Sequence, residues 1–484
     1  MSRRDLAVLG AAALVQVALA TLPDTMGDLV LYRCWARTLA GQGLAAAYWP
    51  SADAVAADPA CPPVDYPPLF PYILWATGHG LRTISADALE HADRLLDFLI
   101  RMPTCAASVL LAWIVYTETR RRSPTWAGPT LALLALNPAV VFDSAYWGQT
   151  DSLCAVLIAA ALVLLVRGKP NGAWVAAAAA ALAKPFAYPI LPLLAVASLR
   201  WFGVRRTLVG AMAGAAAFAA ALLPFLWIGR LTQALGTFFL QLDAMPYLSV
   251  NAHNLWWLVG RGTPWTPASA HPLGLSWSSL SLALFCSFLL ATAARLWRSR
   301  DRRSLYVAAS SVAFGFFVLS THMHENHLFY VLPALALAGL EYRPVRTLFL
   351  ALTVTTLANM ALHDPFLTHQ LRPYVPGPVL YLPQVESPPR ALFDRLARLG
   401  YPWMADEMTG ATSALGAAAT LVNAEANVLL FGWWVLVAFR RRGFDALLEG
   451  RAGRLRVRPL IAATAVFVLL SGAPFLVHAF RYGR

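Results

Sequence analysis

The chain has 484 residues, of which 58% are hydrophobic and only 13% charged, with a mean hydropathy of +0.57. A soluble chain normally carries about 25% charged residues, so the composition excludes a soluble domain with a single anchor and makes the membrane region the body of the protein. The net charge of +13 does not point to nucleic acid. The basic residues fall in short clusters between apolar runs, namely Arg120 to Arg122, Arg167 to Lys169, Arg200 to Arg206, Arg295 to Arg303 and Arg440 to Arg458, which is the positive-inside pattern of a multi-span protein.

Taken in chain order, apolar runs of about 20 residues, the length that crosses a bilayer as helix, recur from one end to the other. Thirteen spans are expected, near 6–22, 95–117, 126–143, 151–167, 172–183, 187–200, 207–228, 276–294, 304–321, 327–341, 346–362, 415–439 and 459–478. Met1-Ser2-Arg3-Arg4 before the first run reads as an uncleaved start-transfer helix, in preference to a signal peptide cleaved after Ala18-Leu19-Ala20. Spans shorter than about 17 residues must be tilted, broken or re-entrant, above all the pair around Ala183-Lys184-Pro185. With the N-terminus cytoplasmic, most of the 38 Lys and Arg lie inside, and a shift by one span reverses that bias.

The expected fold is therefore an all-α, polytopic transmembrane helical bundle forming a single integral membrane domain over 1–484. Three long external segments, 23–94, 229–275 and 363–414, are rich in Trp, Tyr, Pro and Gly and suit interfacial helices. Five cysteines are too few for a disulfide scaffold. Cys105, Cys154 and Cys286 read as core residues, whereas Cys34 and Cys61 share the first external segment and a disulfide between them is open. No internal repeat supports an inverted-repeat transporter.

This topology puts the unusual polar clusters on one face. In order they are Gly27-Asp28; Asp65-Tyr66-Pro67-Pro68-Leu69; Asp143 through Trp147-Gly148-Gln149-Thr150-Asp151; Lys184-Pro185-Phe186; Asn251-Ala252-His253-Asn254; and His322-Met323-His324-Glu325-Asn326-His327. A lipid substrate with a charged head presents that head at this depth. A carboxylate can take a proton from a hydroxyl there, and Lys or His can bind a phosphate. A sugar phosphate already has a good leaving group, so one base plus cationic stabilisation suffices, in contrast to the carboxylate pair of glycosidases.

These motifs resemble the polytopic GT-C glycosyltransferases, especially the glucosyltransferases that extend the lipid-linked N-glycan precursor. The resemblance rests on Gly27-Asp28 with Arg33 and Trp35, on Asp65 before Tyr66-Pro67-Pro68-Leu69, and on His322-Met323-His324-Glu325 ahead of an apolar helix. Trp147 to Asp151 is closer to bacterial relatives of the GPI mannosyltransferases. The order of the motifs is kept through about residue 341.

The resemblance implies a polyprenyl-phosphate hexose donor, inversion by single displacement and a base in the first external loop. Asp65 is then the expected base and Asp28 a positioning carboxylate or alternative base. His322, His324 and Glu325 bind the donor head, Lys184 contacts its phosphate, and Tyr66, Trp147, Gln149, Asp151, Asn251 and His253 line the substrate site. Two departures stand out: Pro50 to Val64 is inserted before Asp65, and Asn326 stands where the family commonly has Lys.

Each residue also has a plainer reading. Asp28 can cap a helix, Asp65 can form a turn before Pro67, Asp143, Gln149 and Asp151 can satisfy backbone ends, and Lys184 can stop a helix. The His cluster invites a metal, but His324-Glu325-Asn326-His327 has one residue fewer than His-Glu-x-x-His, so a divalent ion is not favoured and no cofactor is required.

The expected partners are a polyprenyl-phosphate sugar, with mannose or glucose favoured, a glycolipid, glycan or protein acceptor, and membrane lipid, without nucleic acid. The alanine- and arginine-rich composition suggests a bacterial plasma membrane with the site facing the periplasm. A transporter or flippase for lipid-linked sugars, or a non-catalytic binding subunit, are the rivals. A transporter should place its polar groups near the membrane midplane.

Overall fold

The computed structural model of the protein describes residues 1–22, 28–48, 61, 63–239, 246–262, 266–270, 274–363, 414–440 and 443–449. Gly27, much of the Pro50 to Val64 insertion, most of 363–414 and the expected span 459–478 lie outside the described residues.

Ser2 starts α1 (Arg3–Ala20) with a reciprocal cap, its Oγ accepting from Asp5 N at 3.2 Å while Asp5 Oδ2 accepts from Ser2 N at 2.9 Å. Such caps are worth about 1 kcal/mol. Tyr116 OH donates to the same Asp5 Oδ2 at 2.9 Å. That bond ties α1 to the long α4 (Asp93–Arg122), which follows α2 (Asp28–Gln42) and α3 (Leu69–Ile84). At 30 residues α4 rises about 45 Å, beyond a hydrocarbon core of about 30 Å, so its final Arg120, Arg121 and Arg122 can reach polar surroundings.

Next come α5 (Pro124–Ala135), a short helix Pro138–Val141 and a π-helical turn Phe142–Trp147. Asn137 caps the short helix, accepting from Ala139 N at 3.0 Å and Val140 N at 3.3 Å. Then follow α6 (Asp151–Val166), α7 (Pro170–Ala183), a 3-10 turn Pro185–Ile190 and α8 (Leu191–Trp227). The remainder is α9 (Trp277–Arg298), α10 (Ser304–Leu319), a 3-10 turn His327–Tyr330, α11 (Val331–Gly339), α12 (Arg343–Ala361), α13 (Ala414–Ala438) and α14 (Gly443–Leu448).

Among the described residues, four helical stretches are long and apolar enough to cross a membrane: Asp93–Arg122, Pro185–Trp227, Trp277–Arg298 and Ala419–Ala438. The pair Pro124–Ala135 and Pro138–Trp147, bent by 42°, makes a fifth if it is one span, and Asp151–Val166, Ser304–Leu319 and His327–Gly339 are shorter apolar helices. The protein is thus a helical integral membrane protein. The expected spans 187–200 and 207–228 fall in two helices within Leu191–Trp227, separated by a kink at Gly203, whose φ of 76° interrupts the ladder. Strand is confined, among the described residues, to β1 (Ser249–Val250) lying parallel to β2 (Met323–His324), an element the all-helical expectation did not contain.

Small residues let the helices approach. A Cβ at Gly210 or Gly214 of α8 would lie 2.6 Å from Trp174 Cδ1 or 2.7 Å from Trp174 O of α7. One at Gly78 of α3 would lie 2.4 Å from Ala36 O of α2. This is the close contact that four-residue glycine spacing permits between membrane helices.

The main core is built from α4 to α14. A second core, with Tyr32, Trp35 and Phe70, joins α2 and α3 to Leu222 and Phe225 near the end of α8. Along α3 the buried Phe70, Leu74, Gly78 and Leu81 form one stripe, as an interfacial helix docked on a bundle requires.

The basic helix ends meet in a contact set of their own. Arg167 pairs with Glu118 at 2.8 Å, Arg122 pairs with Glu341, and the Arg302 guanidinium lies 4.9 Å from the Phe202 ring centre. The polar motifs sit at the opposite ends of the same helices.

Candidate functional site

Asp28 opens α2, and its Oδ2 accepts from Trp147 Nε1 and, at 2.7 Å, from Gln149 Nε2. Both donors come from the break between the π turn and α6. The chain can turn there because Gly148 adopts φ 86°, a conformation that costs other residues strain. Asp143 O within the same turn accepts from Gly148 N at 3.1 Å and Gln149 N at 2.9 Å. π turns of this kind recur at functional sites.

Gln149 also reaches α2 and the segment that follows it. Tyr32 OH lies 2.8 Å from Tyr66 OH, and Tyr66 OH donates to Gln149 Oε1 at 3.4 Å. The run Tyr32, Tyr66, Gln149, Asp28 can therefore donate in a single direction and ends on the Asp28 carboxylate. The Asp65-Tyr66 turn is fixed by Val64 N donating to Ala47 O at 2.9 Å and Tyr48 OH donating to Tyr66 O at 2.9 Å. A disulfide between Cys34 of α2 and Cys61 closes the same region, realising the pairing that the sequence left open.

Asp65 differs from Asp28. Its Oδ1 is buried without a hydrogen-bond partner. Burial, reinforced by the neighbouring Asp28 and opposed by Lys184, pushes its carboxyl up to about 7. Glu325 is similar, with Oε2 buried and unpartnered and its carboxyl raised by burial to about 7. Burial, with the Lys184 and His322 charges, pulls His324 down to about 4.

Lys184, at the break between α7 and the following 3-10 turn, places Nζ 2.9 Å from both oxygens of the fully buried Asp151. Asn326 Nδ2 donates to Asp151 Oδ2 at 2.6 Å. The residue that departs from the family pattern thus supports the carboxylate that holds the lysine.

The structure accordingly brings Asp28, Asp65, Tyr66, Trp147, Gln149, Asp151, Lys184, His324 and Glu325 into one polar cluster at adjoining helix ends, with His322 beside it. Asn251 reaches the cluster through backbone, bridging to His324. His253 does not join it. Its hydrogen bonds go to Asn359 and His363 at the end of α12 and to Asn423 and Asn427 of α13.

Arg33 is engaged with Asp97 at 2.6 Å and Trp35 is core, so both hold α2 in place. Sequence reasoning missed Tyr32, although its spacing of four from Asp28 puts both on one face of α2. Among the described residues, no group of three or more His, Cys, Asp and Glu is arranged to hold a metal ion. His327 Nδ1 is occupied, accepting from His324 N at 3.1 Å.

Residues 95–321, just under half of the chain, match glycosyltransferase family 87. That match takes in Trp147, Gln149, Asp151 and Lys184, while Asp28, Asp65 and the His322 to Glu325 stretch lie outside it. This match to a glycosyltransferase family agrees with the resemblance to the GT-C glycosyltransferases read from the motifs. No curated protein matches the sequence. Among solved structures, the crystal structure of ArnT from Cupriavidus metallidurans bound to undecaprenyl phosphate is similar over 89% of this chain and 77% of that one, at 14% identity and a TM-score of 0.48.

Proposed function

We propose that the chain is an inverting glycosyltransferase of the GT-C type that moves a hexose, mannose or glucose favoured, from a polyprenyl-phosphate carrier to a glycolipid, glycan or protein acceptor at the outer membrane face. The observation that carries this reading is the contrast between two neighbouring carboxylates. Asp28 Oδ2 accepts from two N–H donors, which hold that carboxylate in place. Asp65 keeps an unpartnered oxygen and a carboxyl near 7, the poise expected of a general base at neutral pH.

In this mechanism the acceptor hydroxyl attacks the anomeric carbon, Asp65 takes the hydroxyl proton, and the bond to the phosphate oxygen breaks on the opposite face. Polyprenyl phosphate leaves with the electron pair. Lys184 has three N–H donors, two directed at Asp151, and the third serves a phosphate oxygen. Glu325 in its protonated form donates to the same phosphate instead of repelling it.

Outer-face placement is supported by the basic clusters at the opposite helix ends and by the Cys34–Cys61 disulfide, since such bonds persist in oxidising compartments.

The test is release of polyprenyl phosphate by purified protein from a panel of polyprenyl-phosphate sugars, with Asp65→Asn alongside. Acceptor-dependent release that falls at least about a hundredfold in Asp65→Asn is expected for loss of a general base. Full activity in that variant moves the base to Asp28 or Glu325. Tight donor binding without turnover across the panel replaces the enzyme with a binding protein.

A further inference from the structure

The second external segment carries two unusual backbone positions in register with the His322 to Glu325 stretch. Asn251 and His322 both adopt positive φ, at 61° and 63°, a region that residues other than glycine seldom enter. Between them runs the only two-stranded ladder among the described residues. Ser249 pairs with Met323 and Val250 with His324, Asn251 bridges back to His324, and His322 N donates to Tyr247 O at 3.2 Å. Two short loops, each bent against its preference, thus hold one another at the edge of the polar cluster. A ladder of two residue pairs is too short to be stable alone.

What holds it is a buried polar knot centred on His253. Asn359 Oδ1 accepts from His253 N at 2.9 Å, and Asn359 Nδ2 donates to Asn251 O at 2.7 Å, so one amide grips both sides of the bend. Asn427 Nδ2 donates to His253 O at 2.8 Å. Asn423 Nδ2 spends its two hydrogens on His253 Nδ1 at 2.8 Å and Thr355 O at 2.9 Å. With Nδ1 accepting, the neutral ring carries its proton on Nε2, which faces His363 Nε2 at 2.9 Å. The imidazole therefore joins the end of α12 to α13, and the asparagines around it fix the backbone of residues 251–253.

We infer that His253 is a positioning residue, which sets the backbone of the His322 to Glu325 stretch through β1 and so shapes the donor-head site without touching the donor. The role of the stretch rests on the function proposed above. The clamp itself does not.

Backbone hydrogen exchange on the full-length protein reads the clamp whatever the substrate. In His253→Gln, which keeps a donor toward His363, and in Asn423→Ala, amides within 320–326 should exchange faster than in wild type while those of α6 are unchanged. Unchanged exchange at 320–326 in either folded variant overturns the inference. Kinetically, the donor KM should rise about tenfold with kcat within about twofold of wild type, and His253→Ala should be worse than His253→Gln. A double variant with His324→Asn should lose less than the sum of its parts, because both act through one element. Loss of thermal stability with an unchanged donor KM overturns the positioning role. Faster exchange in a protein that turns over no polyprenyl-phosphate sugar leaves the clamp standing and removes the donor reading.

Discussion

Asp65 is held in an environment that opposes its charge, and that conflict has two measurable sides. Its folded pKa of about 7 lies above the ordinary 3.8, so the stability contributed by the protonated group is complete below about pH 4 and is lost as pH rises through about 7. Asp65→Asn should therefore gain thermal midpoint over wild type, more at about pH 8 than at about pH 5, while losing turnover. In wild type, kcat/KM should climb with pH through about 7 as the base ionises. Glu325→Gln should keep that rising limb, and its disappearance there would make Glu325 the base.

Lys184 poses a different question, because its partner Asp151 is fully buried. Lys184→Met should cost about 3–5 kcal/mol by leaving that carboxylate unpaired. Adding Asp151→Asn should restore the thermal midpoint but not donor affinity. If both return, the lysine only held the fold.

These side chains were legible because charge is conspicuous in a chain with so little of it. His253 was not. Its sequence surroundings match those of a ligand-binding histidine, and the asparagines that satisfy it lie 106 and 170 residues away.

At the scale of elements, the site depends on how closely helices approach. A Cβ on Gly148 would meet Arg101 Cγ at 3.1 Å and Leu29 Cδ2 at 3.2 Å, and Leu29 adjoins Asp28. Gly148→Ala should therefore strain the turn and push α2 away from Gln149, lowering kcat more than donor affinity in steady-state kinetics. Gly214→Leu, remote from the polar cluster, should instead lower the thermal midpoint by parting α7 from α8, with kinetics of the surviving protein unchanged. Hydropathy located most of the helices because each buries apolar residues along its length. It divided Leu191–Trp227 at Arg200 to Arg206, and the structure breaks the helix there, at Gly203. It also gave no sign of β1 and β2, whose pairing depends on backbone contacts between segments about 70 residues apart.

Over the whole molecule, the polar cluster draws on α2 with the segment that follows it, the π turn, the α7 break and the His322 to Glu325 stretch, so it exists only once distant parts of the chain have assembled. The disulfide closes the first of these, joining α2, which carries Asp28, to residues just ahead of Asp65. On the proposed topology, that bond cannot form until the segment has crossed to the oxidising side and met an oxidant. A newly made chain would thus remain idle during its synthesis at the cytoplasmic surface, and export of its first loop would act as the maturation step that arms it.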